Sequence, residues 1–488
     1  MGRKLENLKP EGVWKYFEEI SKIPRGSKNE KKISDYIAET AKKLGLEVRR
    51  DKSLNVAVKK QATTGMESFP MVCLQAHMDM VCEKNKDKVH NFEKDPIELI
   101  VNGNILTANG TTLGADNGIG VAICLAIMED KSIEHGPLEF LFTVDEETGL
   151  TGANNLQEGF IESKILINLD SEEEGQIFIG CAGGRNTIGY WKAKYQSVNS
   201  KYAPVIVKVK GLKGGHSGLE IDKGRGNSIK IMSRVLSPLC RLGGRIASFD
   251  GGNKSNAIPR EAEALVYIPV NKLNDASATI SQYSSIIREE YSSVEPDLSI
   301  TMDEAKSKGK RKVLQKVIQK KVLQAITALP HGVIKMSADV KDLVETSTNL
   351  AIVKTDAGKI SITTSQRSSV ASELEDIVGV VATIFELAGA KVETNSGYPG
   401  WKPNLNSPIL KLAKDIYKNM FGKKPEVKAV HAGLECGIIG EKYPGMDMIS
   451  IGPTIEGVHS PEEKVYIDSV ERFYNYLIEI LKNLKNMS

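Results

Sequence analysis

LEFLFTVDEETGL, residues 138–150, is an apolar run that stops in three adjacent acids and a Thr-Gly turn. Leu138 to Val144 has the composition of a buried strand. Its end is the informative part. Like charges held side by side raise one another's pKa and cost free energy unless a cation or solvent neutralises them. Whatever fold the chain adopts must therefore bring a compensating partner to Asp145, Glu146 and Glu147. Because adjacent residues of a strand face opposite ways, Glu146 and Glu147 can reach one site only if the strand breaks there, which the Thr148-Gly149 turn permits. Asp145 reads as a solvated or hydrogen-bonded strand end.

Outward from this strand, the first 185 residues alternate helical and extended patterns. VWKYFEEISKI (13–23), EKKISDYIAETAKKL (30–44, closed by Gly45) and GIGVAICLAIMED (118–130) have helical spacing, whereas LEVRRDKSLNVAVKK (46–60), MVCLQAHMD (71–79) and ILINLDSE (165–172) read as strands. Apolar strands alternating with helices predict an α/β layer on a mixed, largely parallel sheet. Near residue 186 the texture changes to period-two strands and helices in two successive α+β groups, ending near 395. The stretch from 396 onward, with helix SPILKLAKDIYKNMF, strand DMISIGP and a final amphipathic helix, is too short for a sheet of its own. The expected organisation is a discontinuous domain of residues 1–186 and 396–488, interrupted by an inserted domain of residues 187–395.

Composition narrows the function. A chain of 488 residues exceeds one hydrophobic core. Its 65 basic and 62 acidic residues leave a net charge of +3, unlike the strongly basic footprint of a nucleic-acid binder. The run KSKGKRKVLQKVIQKK (306–321) has an apolar stripe at Val313, Leu314, Val317, Ile318, Val322 and Ala325, so it predicts a solvated helix face and no nucleic-acid patch. GADNGIGVAI lacks the third glycine of a dinucleotide-binding turn, Ile123 standing in its place. No apolar run approaches the roughly 18 residues of a membrane span, and no signal peptide is evident at the start, so a soluble, cytoplasmic protein acting on small molecules is expected. The six scattered cysteines suit reduced core thiols.

Two of the seven histidines sit where strand patterns end, His77 in LQAHMDM and His459 in IGPTIEGVHSPEE. Alternate residues of a strand share a face, so Asp79 can hold one ring nitrogen of His77 while the other meets a metal. Asp116 lies in the glycine-rich turn TTLGADNGIG, Asp170 ends ILINLD, and Glu147 ends FTVDEE. Helix capping or solvation accounts for any one of them. It accounts poorly for four strand or turn ends of one domain all finishing in oxygen or nitrogen ligands. In α/β sheets ligands gather at the carboxyl edge of the strands. Two imidazoles and three carboxylates suit a pair of divalent ions at a spacing of about 3.5–4 Å.

HMDMV, TTLGADNGIG, DEETGLTGA, LINLDSEEEG, GGHSG, NAIPREAEA and VHSPEE, in this order, resemble the M20 family of metallopeptidases. YPGWKPN (398–404), HAGLECG (431–437) and the long central region make the chain similar to its Xaa-His dipeptidase branch. The resemblance implies that Asp116 bridges two ions, with His77 and Asp170 on one and Glu147 and His459 on the other. It implies Glu146 as general base, Asp79 as the orienter of His77, and residues 187–395 as a lid or dimerisation domain with two ferredoxin-like halves. Zinc is the expected metal, with manganese or cobalt as alternatives that the same ligands accept.

These readings define an expected reaction. A hydroxide shared by two divalent ions would attack the peptide bond of an unblocked dipeptide, such as β-alanyl-histidine, with Glu146 moving the proton. His216 in the glycine-framed GGHSG turn, helped by Asn256, would stabilise the oxyanion. Arg367 in ITTSQRSS would grip the substrate's C-terminal carboxylate and limit substrates to dipeptides. A homodimer is compatible with this scheme, and neither nucleic acid nor membrane is an expected partner. The competing readings are an N-acyl amino acid amidohydrolase of the same family and a non-catalytic binding protein on the same scaffold.

Overall fold

The computed structural model of the chain describes residues 4–305, 311–356 and 358–486. Two compact units emerge: Met1–Gly180 with Trp401–Ala429 and Leu434–Ser488, and Cys181–Gly400 with Val430–Gly433.

The first unit is built on an eight-stranded sheet. In spatial order its strands are Glu47–Arg50, Val56–Lys60, Leu138–Thr143, Val72–His77, Ile165–Asn168, Asp447–Ser450, Gln176–Cys181 and Glu426–Val430. The four strands from Leu138–Thr143 to Asp447–Ser450 run parallel, and antiparallel pairs flank them. Every residue of Val72–His77 and of Leu138–Thr143 is buried, as expected of central strands covered on both faces. The fold is thus the mixed α/β layer expected, parallel at its centre. That centre sends the ends of the His77, Asp145 and Asp170 strands to one edge.

Helix Ala115–Glu129 is apolar nearly all round, so it is buried on all sides against the sheet and neighbouring helices. It packs closely on helix Glu11–Ile20, where a methyl group at Gly12 would lie 3.3 Å from Ala126 Cβ. A small antiparallel sheet, which the sequence patterns did not suggest, joins Leu99–Asn102, Ile105–Ala108, Lys464–Tyr466 and Ile455–Glu456. It frames the loop that carries His459.

The second unit contains a nine-stranded antiparallel sheet. Ser299–Glu304, Tyr202–Lys210, Ala262–Pro269 and Arg245–Gly251 make one half, with helices Ser228–Arg241 and Leu273–Glu290. Val344–Asp356, Lys359–Ser368, Gly183–Lys192 and Lys391–Thr394 make the other, with Gly332–Met336 paired to Val344–Asp356. The halves meet at the register pair Gly251 and Val353. They are not strictly consecutive in the chain, because Gly183–Lys192 precedes the first half and pairs within the second.

One helical stripe needs correction. Val313 and Leu314 lie in a short strand, Lys312–Leu314, paired with Tyr195–Ser197, and the helix begins only at Lys316. Both side chains are buried there, which an extended pair accomplishes as well as a helix face. Residues 306–310 of the same basic run lie outside the described residues. Of the cysteines, Cys73, Cys124, Cys181 and Cys436 are buried, Cys240 is half-buried, and Cys82 is exposed.

Candidate metal centre

The strand ending at Thr143 breaks at Asp145, two residues further on and earlier than the Thr148-Gly149 turn suggests. Asp145 adopts a left-handed conformation (φ 51°), and Glu146–Gly149 form a single helical turn. Of the two alternatives for Asp145, solvated or hydrogen-bonded, the second holds: it is buried, and its carboxylate accepts the hydroxyls of Thr148 and Thr151. The turn reverses the chain so that the side chains of both glutamates enter the same buried cluster.

His77, at the end of its own strand, is 1% exposed and points Nε2 at Asp116 Oδ1 and Asp170 Oδ1, each 3.1 Å away. Its Nδ1 lies 3.3 Å from Asp79 Oδ1. The same Asp79 carboxylate accepts the backbone N–H groups of Glu146 (3.0 Å) and Glu147 (3.3 Å) and the Ser27 hydroxyl (2.8 Å). Asp79 thus ties the imidazole to the turn that carries both glutamates. A second cluster forms around His459, whose Nε2 is 2.9 Å from Glu147 Oε2 and 3.3 Å from Asp116 Oδ2.

Asp116 therefore offers one oxygen to each histidine. His77, Asp116 and Asp170 form one group, and Asp116, Glu147 and His459 another, with ligand atoms in each lying within 4.8 Å of one another. Imidazole nitrogens and carboxylate oxygens at this density fit divalent cations. The electrostatics agree. Burial pushes the Asp170 carboxyl up to about 6, and burial with the nearby Asp170, Glu435 and Glu147 charges raises Glu146 well above the usual carboxylate range against the opposing pull of His77. Burial disfavours charge on His77, but Asp170, Asp116 and Asp79 outweigh it and raise its pKa well above the ordinary value. Bonds to Asp116 and Glu147 raise His459 to about 11. Crowded carboxylates of this kind favour a nearby positive charge, which a cation would supply.

Several groups that hold this centre carried no role in the sequence reading. Glu463 lies in the quoted VHSPEE segment. It is 2% exposed, and its carboxylate accepts the N–H groups of Leu113 (2.8 Å), Gly114 (2.9 Å), Ala115 (2.7 Å) and Asp116 (3.2 Å). Arg25, equally buried, donates to the carbonyls of Met78 (3.1 Å), Asp79 (3.0 Å) and Gly114, and its charge interacts with Glu463. Glu435, from HAGLECG, accepts Gln75 Nε2 (2.6 Å) and Thr143 Oγ1 (2.7 Å) beneath the His77 strand end, and burial pushes its carboxyl up to about 7. The type of residue is visible in the sequence; its partner is not.

His216, Asn256 and Arg367 belong to the second unit. His216 pairs in register with Ala257, next to Asn256, and both His216 and Asn256 line a groove of about 930 Å³. The His216 Nδ1 accepts the N–H groups of Gly218 (3.3 Å) and Leu219 (3.0 Å), so the neutral ring carries its proton on Nε2. Burial and the Arg367 charge lower its pKa and keep it neutral. Arg367 is 6% exposed and donates through Nη1 to the Tyr398 hydroxyl at 2.7 Å. Its Nε has no partner, and among the described residues no carboxylate pairs with it. Nearby His431 bonds Ser347 Oγ at 2.7 Å, and burial together with the Arg367 charge depresses it to about 3.

The geometry has counterparts among known proteins. The chain is 41% identical over 481 residues to the cytosol non-specific dipeptidase of Escherichia coli (strain K12), covering 98% of this chain and 99% of the relative. The structure of aminoacylhistidine dipeptidase from Vibrio alginolyticus superposes with a TM-score of 0.92 at 40% identity, covering 99% of this chain and 98% of that one. The aminopeptidase PepT of Bacillus cereus shares the fold, with a TM-score of 0.57 at 18% identity over 98% of this chain and 99% of that one. Residues 73–483, from the strand of His77 to beyond the loop of His459, match the model of peptidase family M20/M25/M40, and the chain belongs to that family.

Proposed function

We propose that this protein is a metal-dependent dipeptidase that hydrolyses the peptide bond of unblocked dipeptides, with the first unit as its catalytic domain and the second as its lid. The observation that carries the reading is the sharing of Asp116 between two imidazole-carboxylate clusters, with Glu146 beside them. His77 and Asp170 would hold one ion, Glu147 and His459 the other, and Asp116 both. The names of the relatives at 40–41% identity over nearly the full length, a cytosol dipeptidase and an aminoacylhistidine dipeptidase, support dipeptides as substrates and a cytoplasmic location. Zinc is the proposed metal, with manganese or cobalt able to use the same ligands.

A divalent pair bound there supplies a polarised carbonyl and a water acidified to a pKa of roughly 7. The remaining work belongs to side chains. Asp79 fixes the His77 ring through Nδ1, leaving Nε2 for the ion. Glu146, raised by burial and not itself in either ligand group, accepts the proton of the attacking water and delivers it to the leaving amine. His216, neutral and carrying its proton on Nε2, would donate to the developing oxyanion, with Asn256 as a second donor. Arg367 would bind the substrate's C-terminal carboxylate. A buried guanidinium without an anionic partner is costly, and a carboxylate ligand removes that cost.

The test is a substrate panel on chelated protein before and after addition of zinc, manganese or cobalt. Metal-dependent hydrolysis of β-alanyl-histidine and plain dipeptides, with N-acetyl amino acids left intact, is the expected result. Preference for the N-acetyl substrates would replace the dipeptidase reading with an amidohydrolase one. No metal-dependent hydrolysis of any member would overturn the enzymatic assignment.

A further inference from the structure

Two glycine-rich segments, GYPG at 397–400 and HAG at 431–433, have no part in the chemistry above, and both close around one tyrosine. Tyr398 is bound to Gly184 by a two-way backbone bridge, its N–H donating to the Gly184 carbonyl (3.0 Å) and its carbonyl accepting the Gly184 N–H (2.9 Å). Gly184 is also the register partner of Arg367 in the neighbouring strand. It therefore stands between Tyr398 and Arg367.

Because Gly184 has no side chain, the tyrosine ring lies across it. A methyl group at Gly184 would sit 2.8 Å from the Tyr398 hydroxyl oxygen and 2.9 Å from Cζ, and one at Gly433 would sit 2.7 Å from Cε2. All three distances are shorter than a Cβ contact tolerates, so the ring occupies a slot that only glycine leaves open at both positions. Gly397, at φ 69°, lets the segment turn onto this strand, where a methyl group would meet the Gly184 carbonyl. The slot delivers the hydroxyl to 2.7 Å from Arg367 Nη1.

We infer that Tyr398 is a positioning residue for Arg367, fixing the guanidinium so that its remaining N–H groups are presented to the substrate's C-terminal carboxylate. The inference rests on the proposed carboxylate role of Arg367. An arginine side chain retains much rotamer freedom, and its planar fork binds a carboxylate in two-point fashion only when its plane is set. The phenol oxygen accepts from Nη1, while Nε, buried and unpartnered, stays available. With Nη1 held at one end, the orientation of the whole planar group is set before substrate arrives.

The experiment compares Tyr398→Phe, Arg367→Ala and the double variant in the zinc-loaded full chain, on free dipeptides and their C-terminally amidated forms. Phenylalanine keeps the ring in its slot, so Y398F should stay folded and unfold cooperatively, with a melting temperature lowered only by the loss of one hydrogen bond to a buried charge. The expected result is a rise in KM of roughly tenfold for free dipeptides, the scale of one hydrogen bond to a charged group, with kcat and the amidated substrates little changed. The double variant should be no worse than R367A. If R367A separates the two substrate classes while Y398F affects both equally or neither, the positioning role is wrong and the clamp stands. If R367A itself affects both classes equally, the carboxylate reading falls and this inference with it.

Discussion

Glu463→Gln is the sharpest test of how the shared ligand is held. Glu463 Oε2 accepts the N–H groups of Leu113 and Gly114, and Oε1 those of Ala115 and Asp116. A glutamine of the same shape retains one oxygen, so in either amide orientation two backbone donors face an NH2 group. Two charge-assisted hydrogen bonds at about 1.5–3 kcal/mol each are lost. Arg25 also loses one of the carboxylate charges that offset its burial, those of Asp79 and Asp116 remaining. The two lost hydrogen bonds set the expected loss of stability at about 3–6 kcal/mol. The loop ending at Asp116 should relax with it, and zinc affinity should fall by roughly 10- to 100-fold, as for other groups that orient metal ligands. Urea unfolding of the metal-free protein and calorimetric zinc titration read the two effects separately. Unfolding at the wild-type urea concentration, together with unchanged zinc affinity, would refute the idea that Glu463 holds Asp116 in place.

Three further outcomes follow from other parts of the structure. Glu146→Gln should retain both metals by elemental analysis yet lose at least about 100-fold in kcat, the usual contribution of a general base; a near-normal rate removes the assignment. Gly152→Ala places a methyl group 2.5 Å from both Val144 N and O, directly behind the turn of Glu146 and Glu147, so it should cost about 1–3 kcal/mol and reduce turnover; wild-type melting and rate would contradict the packing argument. His331 is depressed from 6.5 to about 4 by burial, with the Lys230 charge adding to it. Between those values the unfolded chain binds a proton that the folded chain does not, so this group's contribution to stability is lost as pH falls from 6.5 toward 4, by about 3 kcal/mol in all. Urea midpoints at pH 7 and 5 should show the drop, and His331→Asn should flatten it; an unchanged slope in the variant would rule His331 out as its source.

Much of the centre is legible in the chain because strand geometry is local. His77, Asp170 and the acids after Thr143 each follow an apolar strand pattern, and parallel strands deliver their carboxyl ends to one edge. The residue types at those ends are ones that can hold a cation. The break in the glutamate strand is less legible. Thr148-Gly149 is the visible turn signal, yet the reversal falls at Asp145, because a buried carboxylate there gathers Thr148 and Thr151 and a non-glycine residue can then hold a left-handed conformation. Val313 and Leu314 misled in the opposite way, since a helical stripe and a buried short strand can share the same few apolar positions.

Sequence by itself determined the alternation of elements, the domain-like change of texture near residue 186, and which nitrogen and oxygen ligands were available. Those properties depend on backbone periodicity and side-chain chemistry, which act over a few residues. Only the tertiary structure decided that Asp116 turns one oxygen to each histidine, that Glu463 grips its loop from 347 residues away, and that Tyr398 reaches Arg367 across a bare glycine. Contacts of that kind are fixed by packing between distant segments, and no local pattern records them.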